Sequence, residues 1–248
     1  MRLLRSALFS MIVVILVWQA LVLVVAPPSY MLPSPLAVAD VLGAQTGFLA
    51  RQTLTTLTEI ILGLAFGTAL GVATALAITV SPRLGSVVWP LLLTLQAFPV
   101  FAIAPLLVLW FGFGITSKVV MATLIIFFPI ASAFADGLRR TDQHLLEASA
   151  LLGASRFQTF RFIRIPLAIP GLMSGLRVAA PLAPLGAVIG EWVGASGGLG
   201  FTMVTANARM QTDMLFATLA ILAALTLILR FLVDELARTV APWQKETS

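Results

Sequence analysis

The sequence predicts an all-α membrane protein, a bundle of apolar helices that crosses a lipid bilayer. Three observations lead there. Of 248 residues, 60% are hydrophobic and 10% charged, where a soluble domain carries roughly 25% charged residues. The mean hydropathy is +1.05, and the apolar residues gather in six runs near the ~20 residues that a crossing helix needs. Between those runs lie the short segments that hold most of the Lys and Arg, as membrane topology requires.

The runs fall at about 7–26, 57–79, 86–111, 117–135, 171–190 and 214–233. Helices are the expected form, because backbone groups in hydrocarbon must pair within their own segment. The first run follows Arg2 and Arg5 and has the basic start of a secretory signal. It is long for one, from Ala7 to Ala26, and Pro27-Pro28 stands where a small-residue cleavage site would be, so a retained span is expected. The stretch 27–56 holds Pro27, Pro28, Pro33 and Pro35. It is expected to be extended at first and helical from about Pro35.

In the second run Gly63, Gly67 and Gly71 recur every fourth residue, a small-residue stripe that lets helices approach closely, within a copy or between copies. The third carries Pro90, Pro99 and Pro105, with Gln96 as its main polar group, and the fifth carries Pro181 and Pro184. Interior prolines free backbone carbonyls and kink helices. In a membrane those carbonyls face protein or a water-filled cavity. These two broken helices are therefore candidate pathway walls, with Gln96, Pro99, Pro105, Pro181, Pro184 and Glu191 as candidate pathway residues, although kinks needed only for packing read equally well. Glu191, beside Trp192 at the end of the fifth run, suits an interfacial anchor or a contact to a substrate amine or a binding protein. Glu59, Arg177 and Arg230 stand near span ends, where long side chains reach the interface. His144 reads as a solvated helix residue. The whole chain, 1–248, reads as one membrane domain.

Charge placement orients the bundle. With the N-terminus in the cytoplasm, Arg2, Arg5, Arg83, Arg139, Arg140, Arg156, Arg161, Arg164, Arg238 and Lys245 lie inside, and Arg51, Lys118 and Arg209 outside. That bias puts both termini and the segment 139–170 in the cytoplasm. The pI near 11.0 therefore reflects topology; a nucleic-acid surface would gather its basic residues on one soluble face.

Several chemistries are excluded. With no cysteine and one histidine, the chain has no disulfide framework, and a transition-metal site is not expected. Gly112-Phe113-Gly114-Ile115-Thr116-Ser117-Lys118 superficially resembles a phosphate loop but lacks the glycine before the lysine. No span pairs two central carboxylates as a proton relay would. A stand-alone secondary carrier or channel is the main alternative class, and a membrane enzyme a weaker one.

Segment 139–170 is the most distinctive. Asp142 is placed to cap a helix over about 143–152, with Leu145, Leu146, Ser149 and Leu152 on one side. Gly153 suits a left-handed stop. Ser155 and Gln158 have capping-box spacing, starting a second helix at Arg156 with Phe157, Phe160 and Ile163 on one face. Pro166 disfavours helical geometry at Ile165 and is expected to end it. By periodicity alone this is an amphipathic hairpin at the membrane surface, as suited to anchoring as to docking.

Glu147-Ala148-Ser149, Gly153 and Ile163-Arg164-Ile165-Pro166 resemble the EAA loop of permease subunits of bacterial ATP-binding-cassette importers. The family pattern is Glu-Ala-Ala, three residues, Gly, nine residues, Ile-x-Leu-Pro; Ser149 and Ile165 depart from it conservatively. Leu32-Pro33-Ser34-Pro35, Ala104-Pro105-Leu106, Trp110-Phe111-Gly112-Phe113-Gly114, Gly175-Leu176-Arg177 and Gly198-Leu199-Gly200 resemble the sulfonate, taurine and nitrate branch. Gln96 to Ala102, Glu191 to Ser196 and Asn207 to Asp213 look most like permeases for a thiamine pyrimidine precursor (hydroxymethylpyrimidine). The resemblance implies a type I importer permease of six transmembrane helices with cytoplasmic coupling helices, in the bacterial inner membrane. It also implies a homodimer, two ATPase subunits that bind ATP and Mg, a periplasmic binding protein, and no cofactor in this chain. Glu147, Ala148, Ser149, Gly153, Ile163 and Pro166 would be its ATPase-coupling residues.

Overall fold

The computed structural model describes residues 2–243; Lys245, counted above for topology, lies outside them. Among the described residues every regular element is helical. They are α1 (Arg2–Val25), α2 (Pro35–Ala44), α3 (Thr46–Val80), α4 (Pro82–Ala97), α5 (Val100–Phe111), α6 (Ile115–Arg139), α7 (Gln143–Leu151), α8 (Arg156–Thr159), a π-helical turn (Phe160–Arg164), α9 (Ile165–Gly194), α10 (Leu199–Ala208) and α11 (Thr212–Val240).

Among the described residues, four stretches are long and apolar enough to cross a membrane: Thr46–Val80, Ile115–Arg139, Arg156–Gly194 and Thr212–Val240. The expected third span, 86–111, is instead two helices, α4 and α5, bent by 99°. The break falls at Phe98-Pro99, where φ −77°, ψ 132° and then φ −65°, ψ 110° take the backbone out of the helix. A proline disfavours helical geometry in the residue before it. The expected first span is helical, but its described apolar stretch is the shorter Ile12–Val25. Among the described residues, four of the six expected spans thus qualify, or five with the bent pair counted as one.

Helix α6 forms the centre, with α3 on one side and α9 on the other. A Cβ at Gly63 would fall 2.5 Å from the Ala122 Cβ, and one at Gly67 2.5 Å from the Ile126 Cγ1. The stripe on α3 thus serves packing within the chain. From the other side, a Cβ at Gly186 would lie 2.6 Å from the Ala122 Cα. Absent side chains let three backbones close on one another, as in membrane bundles generally. Ile60, Ile126, Ile130, Met173, Leu176 and Val233 fill the space between. Outward-facing Ile61, Phe66, Leu70, Leu227, Ile228 and Phe231 are exposed.

The fifth span is longer than expected, and Pro170, Pro181 and Pro184 do not break it: α9 runs through all three. Nor does Pro166 end the hairpin's second helix. It stands at the start of α9, and the extra residue of the π turn joins α8 to α9 without an interruption. A proline is tolerated in a helix's first turn, where its missing N–H is not needed.

Candidate functional site

The hairpin is built by three local devices. Asp142 accepts a hydrogen bond from the His144 N–H at 2.9 Å and caps α7. At the other end Gly153 adopts φ +77°, with the Ala154 N–H donating to the Ser149 carbonyl and the Gly153 N–H to the Ala150 carbonyl, each at 3.0 Å. These two bonds form a Schellman stop, which needs a left-handed residue where only glycine avoids steric cost. Ser155 and Gln158 then make the reciprocal capping box that opens α8.

The departure at Ser149 has a structural use. Its side chain is buried, donates to the Leu146 carbonyl at 2.8 Å and meets the Thr159 hydroxyl at 3.2 Å, tying α7 to α8 across the bend. Glu147 and Ala148 point outward; Glu147 Oε1 takes only a 3.2 Å bond from Gln143 Nε2. Leu152 departs from expectation: it is 87% exposed beside Leu151 at 90%, instead of lying on the packed side of α7. Phe157 and Phe162 are also turned out, while Ile163 and Pro166 are half-buried against the bundle. Four large apolar side chains thus stand exposed on the same polar hairpin as the outward Glu147. Large apolar side chains exposed together on one short segment suit an interaction surface.

At the opposite end of the bundle, Glu59 and Glu191, expected near span ends, and Lys118, expected outside the membrane, are buried together: they are 3%, 1% and 2% exposed. Glu191 Oε1 accepts from the Thr56 hydroxyl at 2.6 Å and Oε2 from the Gly200 N–H at 2.5 Å. Lys118 donates to the carbonyls of Phe113 (2.5 Å), Gly114 (2.9 Å) and Gly194. The start of α10 is held from the same place, by the Leu199 N–H to Thr56 Oγ1 (2.8 Å) and the Gly198 N–H to Gln52 Oε1 (2.6 Å). Polar side chains alone gave no sign of this; the signal was the spacing of Gln52, Thr56 and Glu59 along one face of α3.

A family model described as "Binding-protein-dependent transport system inner membrane component" matches residues 67–246. The chain belongs to this family of permeases. A probable ABC transporter permease protein of Haemophilus influenzae is 46% identical over 90% of this chain and 91% of its own. The formylaminopyrimidine transport permease protein ThiX of Halalkalibacterium halodurans is 33% identical over 98% and 97%. The riboflavin transport system permease protein RibX of Chloroflexus aurantiacus is 38% identical over 95% and 88%. Among solved structures, the inward-facing MetNI methionine ABC transporter in its native crystal form superposes with a TM-score of 0.70 at 22% identity, over 79% of this chain and 98% of that one. The fold is therefore that of type I importer permeases.

As a multi-pass inner-membrane component, the permease is not itself the enzyme. ATP is bound and hydrolysed by a separate subunit, and the permease carries no cofactor. Dependence on a binding protein and an ATPase follows from the same membership.

The six candidate pathway residues differ in exposure. Gln96, Pro99 and Pro105 are exposed around the α4–α5 bend, and Pro181 is exposed on α9 in line with Ser174, Val178 and Leu185. Pro184 and Glu191 are buried in the bundle. Arg177 and Arg230 do not simply extend to an interface. Arg177 Nε lies 2.9 Å from Asp234 Oδ1, Arg230 Nε donates to Asp234 Oδ2 at 3.0 Å, and Arg230 Nη1 donates to the Arg177 carbonyl at 2.5 Å. This network joins α9 to α11 at the level of Gly175, which packs on Ile130 in the middle of α6.

Proposed function

We propose that this permease is the pathway-forming subunit of an ATP-driven importer that brings a thiamine pyrimidine precursor across the inner membrane. It works as a homodimer with two ATPase subunits, which bind ATP and Mg, and a periplasmic binding protein. Both termini and the α7–α8 hairpin face the cytoplasm, and the whole chain, 1–248, acts as one domain.

One observation carries the reading: the outward Glu147 and Ala148, on a hairpin that also exposes Leu151, Leu152, Phe157 and Phe162. On the coupling reading, Glu147 and Ala148 enter the ATPase surface, Ser149 and Gly153 hold the bend, and Ile163 and Pro166 pass its movement to α9. Closure of the two ATPases then moves α9 as a rigid lever and opens the path alternately to each side. The exposed prolines at 99, 105 and 181 and Gln96 border that path, with Pro184 and Glu191 behind it.

For the substrate, support comes from the formylaminopyrimidine permease, matched over nearly the full length of both chains. The riboflavin permease, at 38% identity, makes a second heteroaromatic solute the nearest competitor; alkanesulfonate, taurine and nitrate follow. The test is co-purification with the ATPase subunit. Glu147→Lys and Gly153→Pro are expected to break the association, and unchanged association in both would overturn the reading. ATP-free uptake driven by an ion gradient would point to a secondary carrier instead.

A further inference from the structure

The ends of α3 and α6, the start of α4 and the α7–α8 hairpin meet around two cavities of about 550 and 470 Å³. Thr79 and Arg164 line both, so the two adjoin. Arg156 completes the charged lining of the first and Arg139 that of the second, and no acidic residue lines either.

None of the three arginines is paired with a carboxylate. Among the described residues the ion pairs are Arg177–Asp234, Arg230–Asp234 and Arg238–Glu235. The Arg139 guanidinium lies over the Trp89 ring at 5.2 Å, a contact with the ring face that leaves its N–H edges free. The hydroxyls alongside commit their protons elsewhere. Thr79 donates to the Ala75 carbonyl at 2.7 Å, Ser86 to the Arg83 carbonyl at 2.9 Å and Ser149 to the Leu146 carbonyl, while Thr159 shares its bond with Ser149. Guanidinium donors therefore dominate the polar lining. Three like charges around adjoining cavities repel one another, and an oxyanion between them offsets that cost.

The position is that of lipid headgroups. Thr79 is in the last turn of α3, Arg139 ends α6, Pro82 begins α4 and Arg164 stands just before α9. Exposed Val80 and Phe157 line the first cavity and Trp89 the second, apolar surface that acyl chains can cover.

We propose that the joined cavities bind the phosphate of an acidic phospholipid, held by Arg139, Arg156 and Arg164. On the topology proposed above, the lipid belongs to the cytoplasmic leaflet. Basic pockets between transmembrane helices take such headgroups. The site leaves the docking face free: Leu146, Ser149 and Ala150 turn one side of α7 to the cavity, and Glu147 and Leu151 lie on another. The proposal goes beyond the importer reading and stands whatever solute is carried.

Native mass spectrometry of the detergent-solubilised permease, titrated with phosphatidylglycerol or phosphatidylcholine, reads the binding. Phosphatidylglycerol is expected to be retained in preference. Arg139→Gln, Arg156→Gln and Arg164→Gln are each expected to weaken its binding about fivefold, the effect of one arginine near an anionic surface, and Arg164→Lys, which keeps the charge, by less. Arg209→Gln, at an exposed position elsewhere, is expected to leave it unchanged. Inorganic phosphate at equal concentration is expected not to displace the lipid. Equal retention of the two lipids, unchanged binding in all three glutamine variants, or full displacement by phosphate would overturn the site. Loss of the lipid on adding the ATPase subunit would assign the arginines to that interface and overturn it too. Fluorescence needs no arginine variant: phosphatidylglycerol brominated on its acyl chain is expected to quench tryptophan more than brominated phosphatidylcholine, with the excess lost in Trp89→Phe. An excess that survives Trp89→Phe would place the lipid elsewhere. A failed ATPase pull-down with the lipid retained would remove the importer reading and leave this site standing.

Discussion

The Ser149 and Thr159 hydroxyls meet at 3.2 Å across the bend at Gly153. This contact fixes the angle between α7 and α8, so the face that carries Glu147 is held rigid instead of floating on a flexible loop. Ser149→Ala removes it, along with the bond to the Leu146 carbonyl, at the ~0.5–1.5 kcal/mol of an ordinary hydrogen bond. A slightly lower melting temperature with ATPase association retained is the expected result. Ser149→Leu, forced into a site only 6% exposed, should lose association outright. Equal behaviour of the two variants in a pull-down would show that the bend is not held here.

Gly153 can be probed independently of any partner. At φ +77° a side chain costs roughly 1–2 kcal/mol, and nothing lies within 4 Å of a Cβ there. The penalty is conformational and not steric. Gly153→Asn should therefore be milder than Gly153→Ala, since asparagine visits the left-handed region more readily. Thermal melts in detergent that rank alanine above asparagine would contradict the Schellman geometry.

How much of this was legible in sequence depended on whether the signal was local. The hairpin's caps, stop and capping box were, because each rests on residues within a few positions: Asp142, Gly153, Ser155 and Gln158. The 99° break at Phe98-Pro99 was partly legible, since three prolines marked the run but only tertiary packing chose which one would break it. Pro166, Pro181 and Pro184 show the same rule from the other side; the bundle holds α9 continuous through all of them. The charged residues were the least legible. Glu59, Lys118 and Glu191 are 59 and 73 positions apart along the chain, as their numbers give, and α10, which ties them together through Gly198 to Gly200, left no periodic trace. Asp234 likewise carries no sequence mark as the partner of Arg177.

The glycine contacts of α6 separate packing from propensity. Gly67→Leu would drive a side chain into Ile126, and even Gly67→Ala places its Cβ 2.5 Å from Ile126 Cγ1; both should lower stability, the leucine enough to abolish folded yield. Gly47, inside α3 with nothing within 4 Å of a Cβ, should behave oppositely, with Gly47→Ala gaining about 0.5–1 kcal/mol from reduced chain entropy. Fluorescence-detected size exclusion after heating measures both. A Gly67→Ala variant as stable as Gly47→Ala would remove the case for close approach.

Asp234 stands between two guanidinium groups within the membrane-crossing part of α11. Asp234→Ala leaves both without their carboxylate, a loss that costs about 3–5 kcal/mol for a fully buried pair and less here, since these side chains are 26–44% exposed. The double variant Arg177→Met with Asp234→Leu should be more stable than Asp234→Ala alone, because it removes charges together with their desolvation cost. A double variant no better than the single one, in a melting series at fixed salt, would show that the network does not couple α9 to α11.

Glu191 offers the sharpest test of the polar end of the bundle, because its two oxygens have different donors. In Glu191→Gln the amide oxygen can still accept from the Thr56 hydroxyl, but the amide nitrogen then faces the Gly200 N–H, donor against donor. Flipping the amide relieves this, because the Thr56 hydroxyl has a second lone pair beside the one that the Leu199 N–H uses and can send its own proton to the Gln52 carbonyl at 3.3 Å. Glu191→Leu has no such escape: it leaves the Gly200 N–H unpaired, and an unsatisfied buried donor costs about 1–3 kcal/mol. The expected outcome is a loss of order at the start of α10, seen as faster hydrogen exchange at the amides of residues 199–202, with the hairpin amides at 149–154 unchanged. Thr56→Val, which removes the hydroxyl that both Glu191 and Leu199 use, should accelerate the same amides. If neither variant alters exchange there, the carboxylate of Glu191 does not hold α10 against α3.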